Sequence, residues 1–134
     1  MSKYQYKRQV MHSDIDAAQV VHFSKYAVFI EDGLNHAFKT ILGEQFDLSW
    51  MNQLRIIRYQ IHYQHPARFN DELTIEIDFF QLGISSGKIG FVISKQDITA
   101  HQRLADGFIF IAYVHSVTGK PEAFPHTFMK LIKG

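Results

Sequence analysis

The sequence predicts an α+β domain in which one long helix lies against an antiparallel sheet of five strands. One segment has the apolar periodicity of a helix, and five others alternate like strands or run apolar between turn residues. The short spacings between strands favour antiparallel pairing, so the single helix must cover one face of the sheet. A length of 134 residues with 46% hydrophobic composition suits one domain spanning residues 1–134.

The helix is predicted over residues 24–42. Apolar residues recur there at steps of three and four and form one face. Ser24 is the predicted N-cap and Gly43 the predicted C-cap, because serine and glycine favour those positions. Gly33 lies on the apolar face at a cost of about 1 kcal/mol relative to alanine. This cost suggests that the helix packs closely against the sheet at that point.

Segments rich in β-branched and aromatic residues predict the strands. Their predicted ranges are 3–11, 54–64, 71–82, 87–98 and 104–117. The third is the clearest, because the odd-numbered residues from Leu73 to Phe79 are apolar and share one face. Residues 44–53 are predicted to form an irregular connection. A short C-terminal helix is expected from Pro125, which suits a first helical turn, to Lys133.

Composition argues against several classes of function. Lysine and arginine total 14 against 13 aspartates and glutamates, so there is no basic field for nucleic acid. No apolar run approaches the roughly 18 residues of a membrane span, and the N-terminus lacks the apolar core of a signal peptide. A cytoplasmic protein is therefore expected. With no cysteine and no HExxH spacing, neither a metal site nor another cofactor is expected.

The segment ahead of the helix carries the most specific motif in the chain. Residues 14–26 read Asp-Ile-Asp-Ala-Ala-Gln-Val-Val-His-Phe-Ser-Lys-Tyr, and Glu31 follows on the helix. The spacing of the aspartates, valines, tyrosine and glutamate resembles the 4-hydroxybenzoyl-CoA thioesterase family. Residues 67–76 are similar to the start of that family's third strand. The resemblance covers most of the chain and implies the hotdog fold, a long helix wrapped by a five-stranded sheet, and acyl-CoA thioesterase activity.

By that resemblance, Asp16 is the catalytic carboxylate, acting on the thioester carbonyl either as nucleophile or as base for a water. The backbone amides near Phe23 and Ser24, at the positive end of the helix, are expected to polarise the carbonyl. One such donor is typically worth about 3 kcal/mol in the transition state. Without the resemblance, an aspartate ahead of a helix is more often a cap or a turn former, the role expected for Asp14.

Two positions depart from the family pattern. Gln19 stands where relatives have glycine, so the loop lacks a positive φ, or Gln19 is strained there, or its side chain is a polar ligand of the substrate. Phe23 stands where many relatives have histidine, and the neighbouring His22 is a candidate catalytic replacement. A shift of one residue turns a helical side chain by about 100°. The alternative for His22 is therefore a surface or interface role.

Further side chains are expected to bind substrate. They are Gln19, Tyr26, Glu31, Arg68, Ser85, Ser86 and Lys88. Arg68 and Lys88 supply cations for the phosphates of CoA, and the serines lie with Lys88 in the turn between the third and fourth predicted strands. By the resemblance, Glu31 belongs near the active site of a partner subunit. For Glu31, Arg68, Ser85, Ser86 and Lys88, an ordinary surface position is the alternative.

Two other functions stay open. One is a thioesterase acting on acyl chains bound to an acyl carrier protein, and the other is a non-catalytic acyl-CoA-binding module. A hotdog dehydratase is disfavoured, because His36 lacks the residue pattern of those enzymes. The strand segment 108–114 is apolar on both faces, so the face away from the helix is expected to be buried in a homodimer or homotetramer.

Overall fold

The computed structural model describes residues 3–45, 48–96 and 100–133. Its strands and helices are β1 (Lys3–Gln9), α1 (Phe23–Leu42), α2 (Leu48–Gln53), β2 (Leu54–Tyr63), β3 (Glu72–Leu82), β4 (Ser86–Gln96), β5 (His101–Tyr113) and α3 (His126–Lys133). The five strands form one sheet in the order β1-β3-β4-β5-β2, and every neighbouring pair is antiparallel. The predicted hotdog arrangement of a long helix wrapped by this sheet is confirmed.

The hydrophobic core lies between α1 and the inner face of the sheet. Alternate residues of β3 from Leu73 to Phe79 are at most 1% exposed, while the residues between them are partly exposed. On the helix, Phe29, Ile30 and Phe38 have no exposed surface. Burial of each such side chain contributes about 1.5–3 kcal/mol, so this seam holds helix and sheet together. No helix in the described ranges is long and apolar enough to cross a membrane.

Gly33 allows α1 to approach β3 closely. A Cβ atom on Gly33 would lie 2.7 Å from Cγ2 of Ile75 and 3.6 Å from Cγ1 of Ile77. The first distance is well inside the optimal contact distance between carbon atoms, about 3.5–4.0 Å. The close packing that the mid-helix glycine predicts is confirmed.

α1 begins one residue earlier than predicted, at Phe23, and its N-cap lies two residues earlier than predicted. His22, rather than Ser24, is the N-cap: its backbone is extended and its Nδ1 accepts a hydrogen bond from the amide of Ser24 at 3.2 Å. An imidazole nitrogen thus satisfies a helix N–H that a hydroxyl oxygen usually satisfies. At the other end, Gly43 is the C-cap as predicted, with a φ of 52°.

The connection after α1 contains a helix that the sequence did not predict. α2 occupies Leu48–Gln53, and residues 46–47 of the predicted connection lie outside the described residues. Trp50 packs edge-on against Phe128 of α3, with ring centroids 6.4 Å apart. Burial of these aromatic rings explains why the segment folds back as a helix despite its weak periodicity.

Strand boundaries shift where backbone hydrogen bonds leave the sheet ladder. β1 ends at Gln9 because the amide of Val10 donates to the carbonyl of Asp71 at 2.8 Å. β5 covers His101–Tyr113 rather than 104–117, since the amide of His115 donates to the carbonyl of Lys120 at 2.9 Å and turns the chain. The predicted strand end at 97–98 and the turn residue Thr99 lie outside the described residues.

Candidate active site

The loop ahead of α1 folds into a small hairpin that carries Asp16. Ile15 and Val21 form an antiparallel bridge, and the amide of Asp16 donates to the carbonyl of Val20 at 2.9 Å. These contacts place Asp16 at the beginning of the hairpin turn, immediately beyond the bridge. Its side chain is partly exposed, so its position is compatible with contact to a substrate.

Two hydrogen bonds to Asp16 fix the turn. The amide of Gln19 donates to the carbonyl of Asp16 at 3.0 Å, and the amide of Ala18 donates to Oδ1 of its carboxylate at 2.8 Å. The carboxylate therefore has the turn-forming role that its position alone suggests. Its Oδ2 accepts no hydrogen bond from a described residue, so one oxygen is available for chemistry.

Gln19 is strained. Its φ is 67°, in the left-handed region that costs an L-residue roughly 1–2 kcal/mol. A tight turn followed by one left-handed residue is the arrangement of a three-residue hairpin loop with a G1 bulge, in which that residue is usually glycine. Among the three alternatives for Gln19, the positive φ with strain is confirmed, and the absence of a positive φ is wrong.

The amide of Phe23 is the first N–H of α1 and has no hydrogen-bond acceptor among the described residues. The next two amides are satisfied: that of Ser24 by Nδ1 of His22, and that of Lys25 by the carbonyl of His22 at 2.9 Å. The positive end of the helix dipole therefore presents one free donor. Phe23 is 68% exposed, so the first residue of α1 lies at the surface.

His22 uses one ring nitrogen for structure. Its Nδ1 lies 2.7 Å from Oγ of Ser24 as well as 3.2 Å from the Ser24 amide. The ring also packs on that of Phe23, with centroids 4.5 Å apart. Nδ1 therefore caps the helix, and Nε2 is the ring nitrogen that is available for a catalytic role.

A hollow of about 300 Å³ lies at this end of α1. It is lined by Val21, Phe23, Tyr26, Tyr63, Gln64, His65 and Pro66. The Tyr26 ring is buried, its hydroxyl accepts a hydrogen bond from the amide of Ala67 at 3.1 Å, and Tyr63 packs edge-on against it. Burial raises the pKa of Tyr26 and of Tyr63 above the usual 10.0, so both phenols stay protonated at neutral pH.

Five of these lining residues were not predicted as site residues: Val21, Tyr63, Gln64, His65 and Pro66. Val21 lies within the motif, whereas Tyr63 is the last residue of β2 and the other three follow it, where no motif marks them. Tyr63 is 47% exposed at the end of β2, and exposure is not visible in the sequence. Tyr26 was predicted from the motif, and the structure places it in the wall of the hollow with its hydroxyl already bonded.

Arg68 lies beside the hairpin that carries Asp16. It forms an antiparallel bridge with Val20, and the amide of Val21 donates to the carbonyl of Ala67 at 2.8 Å. The Arg68 side chain is exposed. The structure therefore brings a cation to the same end of the sheet as Asp16.

Ser85, Ser86 and Lys88 are not brought to this end. β3 runs for 11 residues from the Arg68 side to the turn that contains the serines, which is roughly 30 Å at the usual rise of a twisted strand. Lys88, which was grouped with that turn and also falls in the predicted strand 87–98, lies within β4, with Nζ 4.0 Å from the centroid of the Phe108 ring. Within one chain these three residues cannot reach a substrate held at Asp16.

Glu31 lies on the exposed side of α1, in a groove bordered by β2 residues such as Arg55 and Ile56. Burial is the main cause that raises the pKa of Tyr59 to about 12, and the negative charge of the Glu31 carboxylate adds to the shift. Glu31 is therefore close to β2, an edge strand of the sheet. It is not part of the Asp16 hairpin.

Asp14 has the structural role expected from its position. It is 2% exposed, and its Oδ2 accepts a hydrogen bond from the amide of Met11 at 2.8 Å. Arg8 lies 3.5 Å from its Oδ1 and 2.7 Å from Oδ2 of Asp32, which ties the loop to α1. Across the described ranges, no group of three or more histidines, aspartates or glutamates is placed to hold a metal ion.

Comparison with known proteins finds relatives across most of the chain. The family model described as the thioesterase superfamily matches residues 18–100. A 1,4-dihydroxy-2-naphthoyl-CoA hydrolase from Synechococcus elongatus is 28% identical over 108 residues, which are 78% of this chain and 76% of that protein.

Two solved structures share the fold. A 1,4-dihydroxy-2-naphthoyl-CoA thioesterase from Synechocystis superposes with a TM-score of 0.83 at 20% identity, covering 98% of this chain and 96% of the other. The 4-hydroxybenzoyl CoA thioesterase from Pseudomonas sp. strain CBS-3 superposes with a TM-score of 0.86 at 14% identity, covering 96% and 98%. Both superpositions extend over nearly the whole chain.

Proposed function

The chain belongs to the thioesterase superfamily and is a thioester hydrolase, and we propose that it hydrolyses acyl-CoA thioesters with Asp16 as the catalytic carboxylate. The observation that carries this proposal is the bridge between Ile15 and Val21, which holds the Asp16 turn next to the start of α1, where the amide of Phe23 has no acceptor among the described residues. The similar proteins from Synechococcus elongatus and Synechocystis are named for a CoA thioester, which supports CoA over a carrier protein.

The Phe23 amide acts on the carbonyl oxygen. As the thioester carbon becomes tetrahedral, negative charge grows on that oxygen, and a preorganised N–H at a helix N-terminus stabilises it. A donor of this kind is typically worth about 3 kcal/mol, or 10²–10³-fold in rate. Because the donor belongs to the backbone, the substitution of histidine by phenylalanine at this position does not remove it.

Asp16 supplies the attacking oxygen by one of two routes. As a base, its carboxylate takes a proton from water while the water oxygen attacks the carbonyl carbon, and the departing CoA thiolate takes the proton back. As a nucleophile, the carboxylate attacks, expels the thiolate and forms a mixed anhydride that water hydrolyses. Both routes yield a carboxylic acid and CoA. An acyl adduct on the protein, found by mass spectrometry of acid-quenched single turnovers, identifies the nucleophilic route.

Substrate contacts follow from the placement of the remaining residues. The hollow beside Phe23 receives the acyl group, and Arg68 pairs with a phosphate of CoA. Gln19 borders the same turn as Asp16, so its side chain is placed to contact substrate. Lys88 is left out of this site because its ammonium lies over aromatic rings elsewhere.

A homodimer is part of this proposal. β2 is at one end of the strand order, and Ile57, at its register shift, is 64% exposed. Pairing of two β2 edges would cover these groups. It would also bring Glu31, Ser85 and Ser86 of a second subunit towards the site.

A cytoplasmic location fits the absence of cysteine from the chain.

The proposal is tested by measuring thiol release from a panel of aryl and aliphatic acyl-CoA thioesters and acyl groups on a carrier protein. We expect turnover of CoA thioesters by the wild type and loss of turnover in Asp16→Ala. Glu44→Ala, which removes an exposed acid beyond the far end of α1, is the matched control and is expected to retain activity. Tight acyl-CoA binding without turnover by the wild type would contradict the proposal and indicate a binding module.

A further inference from the structure

We propose that Arg8 and Asp32 are positioning residues for the hydrolysis. Together they hold the hairpin that carries Asp16 against α1, and so set the place of its carboxylate relative to the amide of Phe23. This inference rests on the proposed function. Arg8 lies on β1 and Asp32 on α1, and neither lines the hollow beside Phe23. Both therefore act on the site through another group, the carboxylate of Asp14.

Asp14 is a buried carboxylate to which the proposed reaction gives no role. It is 2% exposed and lies immediately ahead of the bridge between Ile15 and Val21. Its carbonyl accepts a hydrogen bond from the amide of His22 at 3.0 Å. Asp14 thus contacts both arms at the open end of the hairpin, so a shift of Asp14 also shifts the turn that carries Asp16.

The charge of Asp14 is balanced by the guanidinium of Arg8. Nη2 of Arg8 lies 3.5 Å from Oδ1 of Asp14, whose Oδ2 accepts from the amide of Met11 at 2.8 Å. A buried carboxylate needs such a partner because its removal from water is costly. The place of the guanidinium therefore determines where the Asp14 side chain lies.

The same guanidinium is held on α1 at two points. Its Nη1 lies 2.7 Å from Oδ2 of Asp32, and its Cζ lies 4.6 Å from the centroid of the Phe29 ring. Residues three apart lie on one face of a helix, so ring and carboxylate receive the cation together. The planar fork of arginine binds two carboxylates at once. One cation thus joins Asp14 of the hairpin to Asp32 of the helix.

The position of this link along α1 makes it an effective restraint. The chain itself joins hairpin and helix at His22 and Phe23. Asp32 lies roughly 13 Å further along the helix axis, at a rise of 1.5 Å per residue. A contact this far from the junction restrains the angle between hairpin and helix more strongly than the junction alone.

The other contacts of the hairpin do not reach the body of α1. Val20 forms a bridge with Arg68, and the amide of Val21 donates to the carbonyl of Ala67 at 2.8 Å. Both contacts join the hairpin to the segment between β2 and β3. The link through Arg8 therefore supplies the restraint towards the middle of the helix.

The reaction is sensitive to this restraint because Asp16 and the amide of Phe23 act on the same thioester carbonyl. A misplacement of about 1 Å can lower a rate by about 10²-fold. The Asp32 side chain is 39% exposed, and Arg8 still pairs with Asp14 when Asp32 is replaced. Loss of Asp32 therefore loosens the link without leaving a buried carboxylate unpaired.

The link is tested first by amide hydrogen exchange of the full-length protein, which does not depend on activity. In Asp32→Ala, the hairpin amides of Asp16, Gln19 and His22 are expected to exchange at least about tenfold faster than in wild type, while those of β3 and β4 keep their rates. Asp32→Glu keeps a carboxylate and is expected to keep wild-type exchange. Asn35→Ala, at an exposed position of the same helix, is the matched control for the gain in helix propensity.

Initial-rate kinetics with an acyl-CoA that the wild type hydrolyses measure the effect on the reaction. Asp32→Ala is expected to lower kcat at least about tenfold and to change KM less than about twofold, because the geometry matters most in the transition state. Asp32→Glu is expected to restore kcat, and Asn35→Ala to keep it. Arg8→Lys retains the charge beside Asp14 but has no fork for two carboxylates, so its kcat is expected to fall as well.

Three results would overturn the inference. One is wild-type exchange of the hairpin amides in Asp32→Ala, and another is a wild-type kcat in that variant. The third is faster exchange spread equally over β3 and β4 with a lower melting temperature, which would show a merely structural role. A wild type that hydrolyses no thioester would refute the proposed function, and the exchange rates would still decide whether Arg8 and Asp32 hold the hairpin.

Discussion

The amide of Ala18 donates a hydrogen bond to Oδ1 of the Asp16 carboxylate, 2.8 Å away. The acceptor in this bond is an oxygen that an asparagine side chain also offers. The structural role of Asp16, which is to hold the turn, can therefore be separated from any catalytic role that needs a negative charge. This separation decides which substitution is informative at this position.

Replacement of Gln19 by glycine is expected to stabilise the protein by roughly 1 kcal/mol. Relief of the left-handed strain, roughly 1–2 kcal/mol, exceeds the additional backbone entropy of glycine, roughly 0.5–1 kcal/mol. The free energy of unfolding in urea measures the effect. Gln19→Ala is the matched control: it removes the side chain but keeps the strain, so its stability is expected to stay near wild type. Equal stability of the two variants would show that the φ of 67° is not a source of strain.

Replacement of Gly33 by alanine is expected to destabilise the fold by up to about 2 kcal/mol. Helix propensity favours alanine by about 1 kcal/mol, but overpacking of a core costs about 1–3 kcal/mol, and the new Cβ would lie 2.7 Å from Ile75. Asn35→Ala, at an exposed position of the same helix, reports propensity alone and is expected to stabilise slightly. Denaturant unfolding of both variants measures the sign. A gain in stability for Gly33→Ala would refute the close approach of α1 to β3.

The raised pKa of Tyr59 predicts a loss of stability in alkali. The folded protein holds the phenolic proton more tightly than the unfolded chain does. The stabilisation that this tighter binding gives is therefore complete below pH 10 and is lost as the pH rises towards 12. Tyr59→Phe removes the proton equilibrium and keeps the ring. The variant's stability relative to wild type is therefore expected to be constant below pH 10 and to increase above it. Urea titrations at a series of pH values measure this difference, and a flat difference across the range would contradict the assignment.

Much of the fold could be predicted because its signals are local. The alternation from Leu73 to Phe79 and the apolar face of α1 each follow from periodicity, and both are buried as expected. α2 was not predictable, since the packing of Trp50 against Phe128 joins segments far apart in the sequence. The N-cap was misassigned because propensity favours serine, whereas the geometry of the hairpin places His22 at the helix start.

The candidate site was predictable in part for the same reason. Asp16, Gln19 and the Phe23 amide lie within eight residues of one another, so one motif could identify them. Tyr63 and His65 join the hollow only through the tertiary fold. Within one chain, Lys88 and the serines near it lie at the opposite end of the long strand β3 from Asp16, a separation that no local motif reveals.

Turnover by Asp16→Asn tests the central claim most directly. Asparagine keeps the acceptor for Ala18 and removes the charge, so thermal stability and binding of a non-hydrolysable acyl-CoA analogue are expected to match wild type. Loss of a catalytic base or nucleophile is expected to lower kcat by at least about 10²–10⁴-fold. A folded Asp16→Asn variant that binds the analogue and retains wild-type kcat would contradict the assignment of Asp16 as the catalytic carboxylate.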